Sequence, residues 1–272
     1  PMKVHIIWKP GGLFGRVQAA GAEPPPEALV DLCSHVLWGL DDGPPDLEHS
    51  LAMLKVAAEH GTADIVAAPR AGFEYLDPKI IARRVAELQT RNDGSIRLYA
   101  GCTVHLSFDN IRDVLADPHK YTVNGRNHLL VEFPGLFVPP AAETILGNFI
   151  DAGIVPIICQ PERNPHLQPS LHRLQNWISM GCLLQVGAGS LAGRFGKTER
   201  QCAWNLIDKG MAHVIASNAS DEHQNPPRLD RAWRLVRDEW GEDVATRLLV
   251  ENPLAILDGV LEDRGHPVDN RR

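Results

Sequence analysis

From Ala28 onward the chain alternates short apolar runs with longer amphipathic stretches. The apolar runs cover residues 28–32, 64–68, 96–100, 129–133, 154–158, 183–186 and 213–216. Runs this short, bounded by turn formers, read as buried strands. Between the first two, Leu47, Leu51, Leu54 and Ala58 recur at helical spacing after Asp46, and Gly61 follows. Asp77 and Pro78 open a second predicted helix carrying Ile80, Ile81, Val85 and Leu88. An aspartate there accepts from the orphan amides of the first turn, and proline fits where no amide is needed. Further helices are predicted near 108–115, 139–152, 170–180, 198–209 and 229–239, with a last pair over about 242–259.

Seven strand–helix units in order imply an α/β protein with a parallel sheet. Periodicity alone leaves an open sheet and a closed barrel as alternatives. No strand is followed by GxGxxG or a Walker-type loop, which argues against a dinucleotide or nucleotide site. The first 28 residues stand apart. Val4-His5-Ile6-Ile7-Trp8 reads as a short strand, and Pro10-Gly11-Gly12 and Pro24-Pro25-Pro26 are breakers. The expected organisation is an N-terminal extension over 1–28, a barrel over 29–260 and a tail over 261–272. Trp8 and Phe14 in the extension could reach the barrel mouth.

Composition narrows the function classes. The chain has 272 residues, 44% of them hydrophobic and 22% charged, enough for one large barrel-sized domain. A net charge of -7 argues against nucleic acid as the main partner. No apolar run reaches about 18 residues, so no membrane span is expected. Five cysteines, with no CxxC pair and mostly inside apolar runs, suit buried thiols in a reducing cytoplasm.

In sheets of this kind function collects where strands end and loops begin. Those ends read Asp31-Leu32-Cys33-Ser34-His35, Ala68-Pro69-Arg70, Ala100-Gly101-Cys102-Thr103-Val104 and Val131-Glu132-Phe133-Pro134. Gln160-Pro161-Glu162-Arg163-Asn164, Val186-Gly187-Ala188-Gly189-Ser190-Leu191 and Ala216-Ser217-Asn218-Ala219-Ser220 complete the set.

These ends belong to a wider pattern. It includes Leu37-Trp38-Gly39-Leu40-Asp41-Asp42-Gly43, the Glu132-Phe133-Pro134 turn and Pro161-Glu162-Arg163-Asn164. It continues with Gly189-Ser190-Leu191-Ala192-Gly193-Arg194-Phe195-Gly196, Pro226-Pro227-Arg228 and Glu251-Asn252-Pro253. From about Leu29 to Leu257 the chain resembles the bacterial PHP-type protein tyrosine phosphatases of capsule and exopolysaccharide production. The resemblance implies a distorted (β/α)7 TIM-like barrel with divalent metals, typically manganese, at its C-terminal mouth. Such metals polarise a phosphoryl group and lower the pKa of the attacking water. In the family the ligands are a DxHxH motif, a histidine after the second strand, and glutamates on the third and fourth strands. A histidine before Pro-Glu-Arg and a final Asp-x-His complete them.

The chain departs from that pattern. Cys33 stands at the first histidine of the pair, Arg70 at the histidine after the second strand and Thr103 at the third-strand glutamate. Gln160 precedes Pro-Glu-Arg, and Asn218-Ala219-Ser220 replaces Asp-x-His. His35, Asp42 and Glu132 remain. By this comparison no metal cofactor is expected, and manganese enters only if those three hold a single ion. Arg163 and Arg194 match positions that face the phosphate in the family pocket, and Arg228 is expected to join them. Guanidinium groups suit phosphate through paired, charge-assisted hydrogen bonds.

Three functional readings stay open. The first is a pseudophosphatase that binds a phosphorylated or anionic ligand, with a tyrosine-kinase tail as the partner the resemblance implies. Cys33, Thr103, Gln160, Arg163, Arg194, Asn218, Ser220 and Arg228 are its candidate ligand-binding residues. The second is a metal-free enzyme that uses His35, Asp42, Arg70 and Glu132 as acid–base and electrostatic groups. The third is a weak, single-metal phosphatase on His35, Asp42 and Glu132. Plainer roles exist for the same residues: Arg70 turned to solvent, Asp41-Asp42 as a capped turn, Arg163 paired with Glu162. His49, His60, His119, His166 and His172 lack ligand spacing and read as surface residues. Trp177, Trp204, Trp233 and Trp240 read as packing.

Overall fold

The computed structural model of the chain describes residues 28–71, 77–106, 108–133 and 137–261. The predicted strand at 4–8, Trp8, Phe14 and nearly all of the expected extension and tail lie outside the described residues.

Strand β1 (Leu29–Ser34) leads to helix α1 (Leu47–Glu59), whose N-terminus Asp46 caps, and then to β2 (Thr62–Ala67). β3 (Arg70–Ala71), α2 (Pro78–Arg91), β4 (Arg97–Ala100), β5 (Thr103–His105) and α3 (Phe108–Ala116) follow. Next come β6 (His128–Glu132), α4 (Ala142–Asp151), β7 (Val155–Cys159), α5 (Leu171–Met180) and β8 (Leu183–Gly187). The chain continues through α6 (Ala188–Leu191), α7 (Lys197–Asp208), β9 (Val214–Ala216), α8 (Asp230–Trp240) and α9 (Glu242–Thr246). A π-helical turn, Arg247–Glu251, joins α9 to α10 (Asn252–Asp258).

Among the described residues all strand pairings are parallel, in the orders β1-β2-β4 and β3-β5-β6-β7-β8-β9. Among the described residues nine strands stand for the seven predicted, because the second and third units each carry two short strands. Pro69, which has no amide to give to a ladder, separates β2 from β3. Gly101 separates β4 from β5, and a Cβ there would lie 2.6 Å from Val66 Cγ1. Only glycine permits that approach. The Gly101 amide donates to the Ala67 carbonyl at 3.1 Å and the Thr103 amide to the Pro69 carbonyl at 3.1 Å, so bonding crosses the break. A parallel bridge from Ser34 to Ala219 closes the ring. The His35 amide donates to the Ala219 carbonyl at 2.7 Å and the Asn218 amide to the Cys33 carbonyl at 2.9 Å. The open-sheet alternative therefore falls, and the fold is the distorted seven-stranded barrel.

Neighbouring residues on each strand face opposite ways. Val30, Leu130, Ile157, Leu183 and Val214 fill the barrel interior. Leu29, Leu129, Ile158, Leu184 and Ile215 pack outward beneath the helices with Phe149 and Trp177. All are fully buried, each worth roughly 1.5–3 kcal/mol in transfer free energy. Burial on both faces explains why these runs are continuously apolar rather than alternating. Trp177 and Trp233 are buried in this layer, as their helical positions predict. All five cysteines are buried and unbridged.

Candidate functional site

Arg70 opens β3 at the C-terminal mouth of the barrel, and three acidic groups converge on it. Its Nε donates to Glu132 Oε2 at 2.8 Å, and its Nη1 donates to Asp42 Oδ1 at 2.7 Å. Its backbone amide donates to Asp41 Oδ2 at 2.8 Å. The guanidinium thus lies across the mouth, and the plainer expectation of an arginine turned to solvent is corrected. Its attraction to two carboxylates outweighs the entropy of a free side chain. Glu132, at the end of β6, also meets His105 Nε2 of β5 at 3.1 Å. Burial pushes the Glu132 carboxyl up, but the His105 hydrogen bond and the Arg70 charge overcome it and hold the group at about 2.

Asp41 organises the other side. Its Oδ2 lies 2.7 Å from Nδ1 of the buried His35, and its Oδ1 accepts from the Gly43 amide at 3.0 Å. Burial opposes a charged imidazole, yet the Asp41 hydrogen bond and charge raise His35 to about 9. Asp41 itself is lowered, its own burial being outweighed by His35 and the two amides. The pair is therefore an imidazolium–carboxylate bridge at neutral pH.

A cavity of about 420 Å³ opens beside this network. Asp42, Arg70, His105, Glu132, Gln160 and Arg163 line it with Phe133, Cys159, Asn164 and Leu167. That volume fits a drug-sized ligand or the head of a phosphorylated side chain. Arg163 stands in the short 3-10 turn Pro161–Arg163 after β7. Its guanidinium sits 3.9 Å over the Phe195 ring, and its Nη1 reaches Gln160 Oε1 at 3.4 Å. Among the described residues no carboxylate forms an ion pair with it, so its charge is available to an anion. The expected Arg163–Glu162 pair is absent among them. Glu162 is fully buried and instead accepts from the Gly187 amide at 2.9 Å.

Other expected ligand-binding residues fall outside this cavity. Cys33 and Thr103 lie beneath its floor at 0% and 1% exposure, their Sγ and Oγ1 3.5 Å apart. Asn218 Nδ2 donates to Cys33 Sγ at 3.2 Å, and Gln185 Nε2 donates to Asn218 Oδ1 at 2.6 Å, so Asn218 holds the barrel interior. Ser220 lines a separate cleft. Arg194 is exposed, 5.3 Å from the Phe195 ring, and donates to Asn225 Oδ1. Arg228 does not join the pocket: its guanidinium is held by Asp230 at 3.0 and 2.8 Å. Gln160 and Asn218 both adopt left-handed backbone, with φ of 47° and 50°. Such conformations cost roughly 1–3 kcal/mol and cluster at functional sites.

Sequence reasoning missed Asp41 as a hub and His105 as a cavity wall. Asp41 reads as half of a turn doublet, with nothing local to show that it reaches His35. His105 follows Thr103 by two along a strand, hence on the same face; that spacing was the available signal.

The model of a family described as capsular polysaccharide synthesis, CpsB/CapC, matches residues 29–258. The chain belongs to the CpsB/CapC family. A putative tyrosine-protein phosphatase CapC of Staphylococcus aureus is 30% identical over 203 residues, covering 73% of this chain and 79% of that protein. The tyrosine-protein phosphatases YwqE of Bacillus subtilis and CpsB of Streptococcus pneumoniae are each 26% identical, covering 84% of this chain and 91% and 98% of theirs. A solved structure from work on YwqE and CpsB, described as unique metal-dependent tyrosine phosphatases, superposes with a TM-score of 0.81 at 25% identity. It covers 88% of this chain and 99% of that one. The Listeria monocytogenes lactonase Lmo2620, at TM-score 0.55 and 12% identity, shares the fold. No helix among the described residues is long and apolar enough to cross a membrane.

Metal-dependent chemistry in this CpsB/CapC barrel would need donors at the mouth. Among the described residues one group of three ligand atoms converges within 4.8 Å, on His35, Asp41 and Asp42. Asp41 Oδ2 already meets the His35 imidazole and the Arg70 amide, and Asp42 Oδ1 accepts from the Arg70 guanidinium. Cys33, Thr103, Gln160 and Asn218 offer a thiol and neutral oxygens and amides, poorer donors for a hard divalent ion than carboxylates. In this structure those donors are engaged by Arg70 and by one another.

Proposed function

We propose that this CpsB/CapC barrel, over residues 29–260, binds a phosphorylated ligand at its mouth without metal-dependent hydrolysis. The observation that carries the proposal is Arg70, whose guanidinium lies between Glu132 and Asp42. A single fixed positive charge stands against carboxylates that otherwise suit a cation. Arg163, stacked on Phe195 and with no carboxylate ion pair among the described residues, is the anchor for a phosphate. Arg194 flanks the same ring from the exposed side. An aromatic phosphoester suits this pairing, since its ring can lie against Phe195 and Phe133 while its phosphate meets guanidinium. The relatives are named tyrosine phosphatases, so a phosphotyrosine peptide is the favoured ligand, with a cytoplasmic tyrosine-kinase tail as its source.

The test is calorimetric titration of the chelator-treated protein with a phosphotyrosine peptide, beside an aryl phosphate assay with manganese added. Binding in chelator without turnover in manganese is expected. Replacing Arg163 and Arg194 together by alanine should weaken binding at least tenfold. Unchanged affinity would refute the anion anchor.

One observation favours a second reading, a weak manganese-dependent phosphatase: the convergence of His35, Asp41 and Asp42. It requires Asp42 to release Arg70 and His35 to release a proton. Manganese-dependent turnover that disappears in His35→Ala would establish it in place of the first.

A further inference from the structure

Three side chains on the wall of the mouth cavity carry hydrogen-bond donors that the fold leaves unused. Arg70 is the first. Glu132 takes its Nε and Asp42 its Nη1, and among the described residues its Nη2 meets no acceptor. Arg163 is the second. It gives Nη1 to Gln160 Oε1 over a long 3.4 Å, and its Nε and Nη2 meet no acceptor among the described residues. Asn164, the third, is 7% exposed on the same wall. Its Oδ1 accepts from the His166 amide at 2.9 Å, which leaves Nδ2 as the donor end. That Nδ2 is buried and has no hydrogen-bond partner among the described residues. Buried donors without an acceptor are rare, because folding strips their water and returns nothing.

We infer that Arg70 and Asn164 join Arg163 in holding one phosphoryl group, and that the three together make the mouth selective for a phosphate monoester. The inference rests on the phosphate reading above and names the kind of phosphate. A monoester has three terminal oxygens and a diester has two. Each terminal oxygen of a monoester has one side chain to receive it. A diester leaves one donor dry and unmatched. Sites built on hydrogen bonds reject an analogue that lacks one of them more strongly than apolar pockets reject a change of size.

The two arginines contribute in different ways. Arg70 is balanced by Glu132 and Asp42, so it brings direction rather than net charge. Its guanidinium is a rigid plane, and carboxylates on two of its nitrogens fix where the third lies. Glu132 and Asp42 are positioning residues in this sense. Arg163 has no carboxylate ion pair among the described residues, so it brings the charge that attracts the anion. Asn164 brings a neutral donor whose acceptor arrives with the ligand.

The test is calorimetric titration of the whole chain, in chelator, with phenyl phosphate and with methyl phenyl phosphate. The wild type should prefer the monoester by about tenfold or more. Arg70→Lys keeps the positive charge and lacks Nη2. Asn164→Ser keeps an oxygen for the His166 amide and lacks Nδ2. Neither substitution changes the net charge, so a change in preference reports the donors. Each variant should lose a large part of the preference by weakening the monoester while the diester changes little. Thermal transitions check that the variants fold, and Asn164→Ser, which touches no ion pair, decides alone if Arg70→Lys is unfolded. Equal affinity of the wild type for the two esters, or a preference unmoved in the folded variants, would overturn the inference and leave the phosphate reading standing. Failure of the wild type to bind phenyl phosphate would overturn both.

Discussion

Arg70 and Glu132 meet at 2.8 Å, and the second carboxylate on the guanidinium, Asp42, is far more exposed than the first. The arginine is therefore bound more firmly to β6 than to the loop after β1. Removing it leaves Glu132 partly buried with only His105 for company. Arg70→Met should cost roughly 1–3 kcal/mol, discounted from the deep-burial range because both side chains are about a quarter exposed. Glu132→Gln in that background should restore part of the loss. Chemical denaturation of the wild type, both single variants and the double variant measures it, and additive losses would mean that the pair is not coupled.

His35 carries its proton to about 9 against an ordinary value of 6.5. Its folded pKa is raised, so its contribution to stability is full below about 6.5 and is lost as pH rises through about 9. Asp41→Asn removes the bridging charge, and burial alone would then push the imidazole down. Ring-proton NMR titration should show His35 titrating well below its wild-type midpoint in that variant. An unmoved midpoint would show that Asp41 does not hold the proton.

Glu162 runs the other way. Burial raises this carboxyl to about 7 from 4.5, with the Gly187 amide opposing. The folded state then binds a proton that the unfolded state has released, so stability falls as pH rises from about 4.5 to 7. Glu162→Gln should lack that slope and exceed the wild type above about pH 7, by up to about 3 kcal/mol on the linkage relation. Denaturation midpoints measured across this window decide it, and parallel curves for the two proteins would show Glu162 ionised in the fold.

The thiols make a separate check on how closed the barrel is. Cys33, Cys102 and Cys182 are fully buried, and burial lifts Cys102, Cys182 and Cys202 to about 12. A thiol reagent at neutral pH should modify the native protein slowly, with Cys159 first because it alone touches the cavity. Denaturant should expose all five. Rapid labelling of Cys33 would mean that the mouth opens to its floor.

The strands were legible because both of their faces are buried, so each appears as an uninterrupted apolar run such as Leu129-Leu130-Val131. The breaks at Pro69 and Gly101 were written as a proline and a glycine, but their effect depends on Val66 crossing beneath Gly101, a contact no local pattern encodes. Closure was equally hidden, since it rests on Ser34 meeting a segment 185 positions later at Ala219. At the mouth, the residue types at the strand ends were plain, and their directions were not. Thr103 and His105 share a face of β5, yet Thr103 meets Cys33 deep in the barrel while His105, one pleat nearer the strand's end, reaches the cavity. Arg228 sits in an intact motif and is nevertheless occupied, because Asp230, two residues on, takes both its Nε and its Nη2.

The left-handed backbone at Gln160 and Asn218 has a consequence for how readily this mouth changes its chemistry. Histidine, aspartate and asparagine are the side chains that enter that region most often. An imidazole at 160 or a carboxylate at 218 would thus meet a main chain already bent to receive it. The bends after β7 and β9 thus favour a small set of side chains at these two positions, and an exchange within that set keeps the backbone it enters.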